Sequence, residues 1–87
     1  MKADRVQVEQ LLKTARGQIE GILKMVEEDR YCLEISTQIS AAVSVLKKAN
    51  RAVLRAHMDC CVRQAVADGT ADSKLDELTA LLDKLAD

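Results

Sequence analysis

Apolar residues recur along the chain at alternating steps of three and four, a spacing that predicts helix almost throughout. In the first segment Val8, Leu12, Ala15, Ile19, Ile22 and Val26 share one face. Asp4 precedes that run and is a residue type that caps helix N-termini. The polar cluster Glu27-Glu28-Asp29-Arg30 interrupts the pattern and predicts a short turn, with Asp29 placed to cap the helix that follows.

The second segment carries two stripes. Ile35, Ile39, Ala42, Leu46, Ala49, Val53, Ala56 and Cys60 keep a seven-residue repeat, and Cys32, Ile39, Val43, Leu46, Leu54, His57 and Cys61 run beside them. Neither Gly nor Pro occurs between Tyr31 and Asp68, so one unbroken helix of roughly 35 residues, ~50 Å long, is expected. Gly69 is suited to close it. A third helix follows, starting at Asp72 or Ser73, with Leu75, Leu78, Leu82 and Leu85 as its apolar face.

The pattern therefore predicts an all-α fold, a single domain over residues 1–87 with a three-helix protomer and one long central helix. That helix is longer than a compact chain of this size is wide, and two shorter neighbours cannot cover both stripes. A second copy can. A two-fold antiparallel pair of long helices, completed by the first helices, gives a four-helix core and predicts a homodimer or larger assembly.

Composition narrows the function. Phe, Trp and Pro are absent and Tyr31 is the one aromatic residue, which suits helices packed closely on one another. There is no Gly-rich loop, no strand scaffold and no aromatic pocket material, so an enzyme is not expected. No apolar run is long enough to span a membrane, and the start Met1-Lys2-Ala3-Asp4-Arg5 is polar, which predicts a cytoplasmic protein. In a reducing cytosol Cys32, Cys60 and Cys61 point to metal binding or redox sensing before a structural disulfide.

His57 and Cys61 stand four residues apart, one helical turn on the same face, where they could chelate one ion. Alone, such a pair also reads as ordinary packing. Cys32 changes that reading. It precedes Cys61 by 29 residues, about 43 Å along a continuous helix, so one chain cannot bring them together. In an antiparallel dimer centred near Leu46, Cys32 of one chain comes level with residue 60 of the other. The set becomes Cys32 from one subunit with His57 and Cys61 from its partner. Two thiolates and an imidazole are a soft three-donor set that favours copper(I), whereas structural zinc normally takes four ligands. Cys60 lies about 100° around the helix from Cys61 and reads as a buried small hydrophobe or a spare thiol.

Formal net charge is −1, but it is unevenly divided. Between residues 44 and 63 Lys47, Lys48, Arg51, Arg55 and Arg63 face Asp59 alone, while residues 64–87 are acidic. With Lys2, Arg5, Lys13 and Arg16 near the start, these cations could contact a polyanion once repeated over several copies, or remain a solvated surface. No helix-turn-helix or zinc-finger signature is present.

The stretches Gly17-Gln18-Ile19-Glu20-Gly21-Ile22, Met25 through Cys32, Gln38-Ile39-Ser40-Ala41, Ala49-Asn50-Arg51 and His57-Met58-Asp59-Cys60-Cys61 resemble the copper-sensing operon repressor (CsoR) family, with its nickel/cobalt and formaldehyde relatives. The resemblance covers nearly the whole chain. It implies an antiparallel dimer and a dimer-of-dimers homotetramer, copper(I) held by Cys32, His57 and Cys61, and operator DNA bound without metal and released with it, derepressing copper-efflux genes. It also implies that Tyr31 and Glu77 lie around the metal ligands; the candidates for DNA contact, Lys13, Arg16, Lys48, Arg51 and Arg55, rest on their charge. Leu11 departs from an Arg common in the family. Two alternatives stay open: a persulfide- or oxidant-sensing repressor using Cys32 and Cys61, and a copper-binding helical module that does not touch DNA.

Overall fold

The computed structural model describes residues 1–86, with side chains as far as Lys84. Helix α1 spans Arg5–Glu27, α2 spans Cys32–Asp68 and α3 spans Ala71–Ala86, and no strand occurs among the described residues. Asp4 caps α1, its Oδ1 accepting from the backbone N–H groups of Val6 at 3.0 Å and Gln7 at 3.4 Å. At the far end the N–H of Arg30 returns to the carbonyl of Met25 at 3.0 Å.

Two boundary expectations need correction. Asp29 does not cap α2. It takes the left-handed conformation, φ 54, that reverses the chain after α1, a geometry short polar side chains tolerate better than most. Tyr31 occupies the N-cap position of α2 instead, with no capping bond from its side chain. The third helix begins at Ala71, ahead of both Asp72 and Ser73, because the chain leaves α2 tightly. Gly69 adopts φ 77 and the N–H of Thr70 donates to the carbonyl of Ala65 at 2.8 Å. That pattern satisfies carbonyls which a helix end otherwise leaves unpaired.

Helix α1 folds back antiparallel on the N-terminal two-thirds of α2, and α3 packs on the C-terminal half. Among the described residues α1 and α3 do not touch. The buried residues are Val8, Ala15, Ala42, Ala49, Ala65 and Leu78. Alanine dominates because small side chains on α2 let the flanking helices approach closely. The molecule measures 56 × 26 × 12 Å and its radius of gyration is 17.2 Å. A compact domain of this length would be near 12 Å.

Only part of the apolar pattern is covered within one chain. On α1, Val8 and Ala15 are buried, and Leu11, Gln18, Ile22 and Met25 are half-buried. Leu12, Ile19 and Val26, from the same predicted face, are exposed. On α2, Ile39, Val43 and Leu46 are exposed too. Together Ile19, Ile22, Leu23, Ile39, Val43 and Leu46 line one wholly apolar trough along the α1–α2 pair. The apolar face of α3 places Leu78 inward, while the side chain of Leu85 lies outside the described residues.

Candidate metal centre

Near the C-terminal end of α2, His57 and Cys61 lie on successive turns of one helical face. Cys61 Sγ is 3.5 Å from His57 Nδ1. The contact turns the thiol and one ring nitrogen toward a common point, so two donors for a soft cation already converge. His57 is exposed and Cys61 half-buried, so this point is open to solvent in the single chain. Leu54 and Met58 of α2 line the groove where α3 packs, with Leu78, Leu81 and Leu82. Copper(I) suits these donors, since sulfur and imidazole are its favoured ligands.

Cys32 is the first residue of α2 and is exposed, as are His57 and Tyr31 beside it in sequence. The helix between the two cysteines is unbroken, which leaves them about 43 Å apart along its axis. Accordingly no group of three potential ligands gathers within the described residues of one chain. All three thiols are free. Cys60, read from sequence as a buried residue or spare thiol, is half-buried and not part of the core.

Glu77 stands on the exposed side of α3, its Oε2 3.8 Å from Lys74 Nζ. Neither it nor Tyr31 hydrogen-bonds to His57 in the single chain. The basic residues are better clustered. Lys2, Lys48, Arg51 and Arg55 border one groove where the start of α1 crosses α2, with Asp4 and Asp59 at its edges. Lys13 and Arg16 are exposed further along α1. Leu11 is half-buried, so this position serves helix packing in the present chain.

Sequence reasoning passed over Asn50. It lines a second groove, with Val8, Leu12, Leu46, Ala49 and Val53, that meets the apolar trough at Leu46. The signal was available: Asn50 falls seven residues after Val43 and seven before His57, on the same stripe, but its polarity hid it.

The metal-sensitive transcriptional repressor family matches residues 4–84. A copper-sensing transcriptional repressor CsoR from Mycobacterium ulcerans (strain Agy99) is 46% identical over 67 residues, covering 77% of this chain and 57% of the relative. The chain thus spans little more than half of that relative's length. The crystal structure of the copper-sensing repressor CsoR with Cu(I) from Geobacillus thermodenitrificans NG80-2 superimposes with a TM-score of 0.81 at 32% identity, covering 100% of this chain and 94% of that one. The nickel-responsive transcriptional regulator InrS matches with a TM-score of 0.80 at 30% identity, over 98% and 96% of the two chains. One fold thus accommodates proteins named for different metals. The chain belongs to the metal-sensitive transcriptional repressor family.

Proposed function

We propose that this protein is a copper(I)-responsive transcriptional repressor that binds operator DNA when metal-free and releases it on taking up copper(I). The observation that carries the reading is the placement of donors on one rigid rod: His57 and Cys61 in contact at one end, Cys32 alone at the other. An apolar trough without a covering partner runs between them. A second copy laid antiparallel across Leu46 covers the trough and brings Cys32 level with the partner's His57–Cys61 pair. Two equivalent sites follow from the two-fold axis. Burial of each half-exposed Leu, Ile or Val there contributes roughly 1 kcal/mol. Further pairing of dimers gives a tetramer with several copies of the basic groove.

The copper-sensing relatives, one of them solved with Cu(I), support the choice of metal, as does the soft N,S,S donor set. Tyr31 and Glu77 would sit around the assembled ligands, where hydrogen bonds from outside fix an imidazole's orientation. Lys13, Arg16, Lys48, Arg51 and Arg55 would contact phosphates, giving an affinity that falls steeply with salt.

The switch is thermodynamic linkage. Cys32, His57 and Cys61 reach a common ion only in one arrangement of the two long helices, and DNA binding favours the other. Coupling of roughly 1–3 kcal/mol is typical of paired sites and is reciprocal, so operator DNA weakens copper uptake as much as copper weakens DNA binding.

The test is operator affinity with and without copper(I), for the natural protein and His57→Ala. The expected result is that His57→Ala binds DNA normally but no longer releases it with copper. A variant that still releases DNA normally would refute the reading. The free thiols favour one second reading, an oxidant or persulfide sensor built on Cys32 and Cys61. That sensor would respond to sulfur species and not need His57.

A further inference from the structure

Arg51 and Arg55 stand between two grooves of opposite character. On one side lies the cationic groove already described, which they share with Lys2 and Lys48. On the other side they rim a groove of about 260 Å³ between α2 and α3, whose remaining lining is Leu54, Met58, Leu78, Leu81 and Leu82. Apart from the two arginines, that lining is wholly apolar. No residue of α1 contributes to it, and α1 and α3 do not touch among the described residues.

The arginines are both exposed and unengaged. Among the described residues neither forms an ion pair, although Asp59 stands one turn beyond Arg55 on the same helix. The groove also faces away from the seam of the proposed dimer. At about 100° per residue, Arg51 lies about 140° and Arg55 about 180° around α2 from Leu46. A copy laid across the apolar trough therefore leaves this groove open.

An apolar channel with two free guanidinium groups at its rim is complementary to a ligand with an apolar body and one anionic head. Small-molecule sites commonly combine apolar walls with a few placed polar groups. A guanidinium presents paired N–H donors whose spacing matches the two oxygens of a carboxylate. The volume suits a single short chain and is too small for a two-chain lipid.

We propose that the α2–α3 groove binds a free medium-chain carboxylic acid as its anion. The tail lies along Leu54, Met58, Leu78 and Leu81, and the head rests on Arg51 and Arg55. Because the same arginines border the groove proposed to contact DNA, acid and operator compete for them. The repressor thereby gains a second input that needs no metal. The binding site stands on its own geometry; only its effect on DNA rests on the function proposed above.

The probe is octanoate, titrated calorimetrically into the full, reduced, metal-free protein well below the concentration at which it forms micelles. Binding is expected to saturate at one octanoate per chain. Hexanoate should bind roughly tenfold weaker, since each buried methylene contributes about fourfold. Octanol, which has the same tail without the charge, should bind at least about tenfold weaker than octanoate. Replacing Arg51 and Arg55 together by Ala should remove that preference for the acid, while Leu81→Gln should weaken both ligands. Circular dichroism checks that each variant keeps its helices, and Met58→Gln serves if Leu81→Gln does not. Saturating octanoate should lower the operator affinity of the metal-free protein several-fold.

Equal affinity for octanoate and octanol, an unchanged preference in the double arginine variant, or binding that never saturates would overturn the site. Sedimentation is followed in parallel. Binding that appears only as the assembly dissociates would assign the groove to a second copy of the chain and overturn it likewise. Saturable binding without any change in operator affinity would overturn the competition. Failure to bind operator DNA under any condition would instead overturn the repressor reading, and the octanoate titration would decide the site by itself.

Discussion

Cys32 and Cys61 belong to the same helix and the same stripe of it, yet their surroundings differ sharply. Cys32 opens α2 just after Tyr31, whose side chain forms no capping bond, and the nearby ordering contact is an exposed Arg30–Glu34 ion pair at 2.9 Å. Cys61 lies well inside the helix, is half-buried and touches His57. One end holds two potential donors already in contact, and the other carries a lone exposed thiol. The difference teaches that the switching element in the proposed sensor is the docking of an exposed thiol onto a standing pair. In that proposal, docking depends on how two rods are registered, and registration is what would couple the site to DNA.

The comparison breaks most directly at the crossing point. Leu46→Asp places a charge at the end of the apolar trough where the proposed two-fold axis crosses, twice over in the dimer. It is expected to weaken dimerisation by roughly a hundredfold or more, measured by sedimentation equilibrium, and to uncouple Cys32 from the standing pair. If the variant stays a dimer at low concentration, the trough is not the interface.

Next in size is the basic groove where the start of α1 crosses α2. Replacing Arg51 and Arg55 together by Ala is expected to lower operator affinity about tenfold at moderate salt. The salt dependence should flatten by about one unit of slope for each phosphate no longer neutralised. An unchanged salt slope would move the DNA surface elsewhere. The same substitutions should leave copper(I) affinity of the DNA-free protein unaltered, since neither side chain is a donor.

Smaller effects sharpen the contrast between the two helix ends. Gly69→Ala forces a Cβ into φ 77 and is expected to cost about 1 kcal/mol, a fall of several degrees in melting temperature. No atom lies within 4 Å of the added Cβ, so the cost is conformational and not steric crowding by neighbours. Tyr31→Ser supplies the missing cap at the other end and is expected to raise stability by about 0.5–1 kcal/mol. Thermal unfolding followed by circular dichroism reads both. A destabilised Tyr31→Ser would mean that the tyrosine ring contributes more than a cap does.

The sequence carried the fold well where physics is local. Periodicity, the Asp4 cap and the Gly69 stop place all three helices, because each depends on residues within a turn or two of one another. Local signals misplaced only boundaries: Asp29 and Asp72 are both good caps by type, but the tight reversal at Asp29 and the hydrogen bond from Thr70 to Ala65 decide where the neighbouring helices start. The distance argument for Cys32 was also legible, since it needs only an unbroken helix and its rise per residue.

What the sequence determined by itself is thus a set of rods, their lengths and the donors each carries at its ends. The tertiary structure decided which half of every apolar stripe is covered. Val8, Ala15, Ala42 and Ala49 turn inward while Leu12, Ile19, Ile39 and Leu46 remain open, a partition that periodicity cannot make because all eight satisfy it equally. It decided too that Cys60 is half-buried and that His57 already meets Cys61. Burial and side-chain contact depend on where a neighbouring helix lies, and that is fixed only when packing selects one relative rotation among those the same pattern permits.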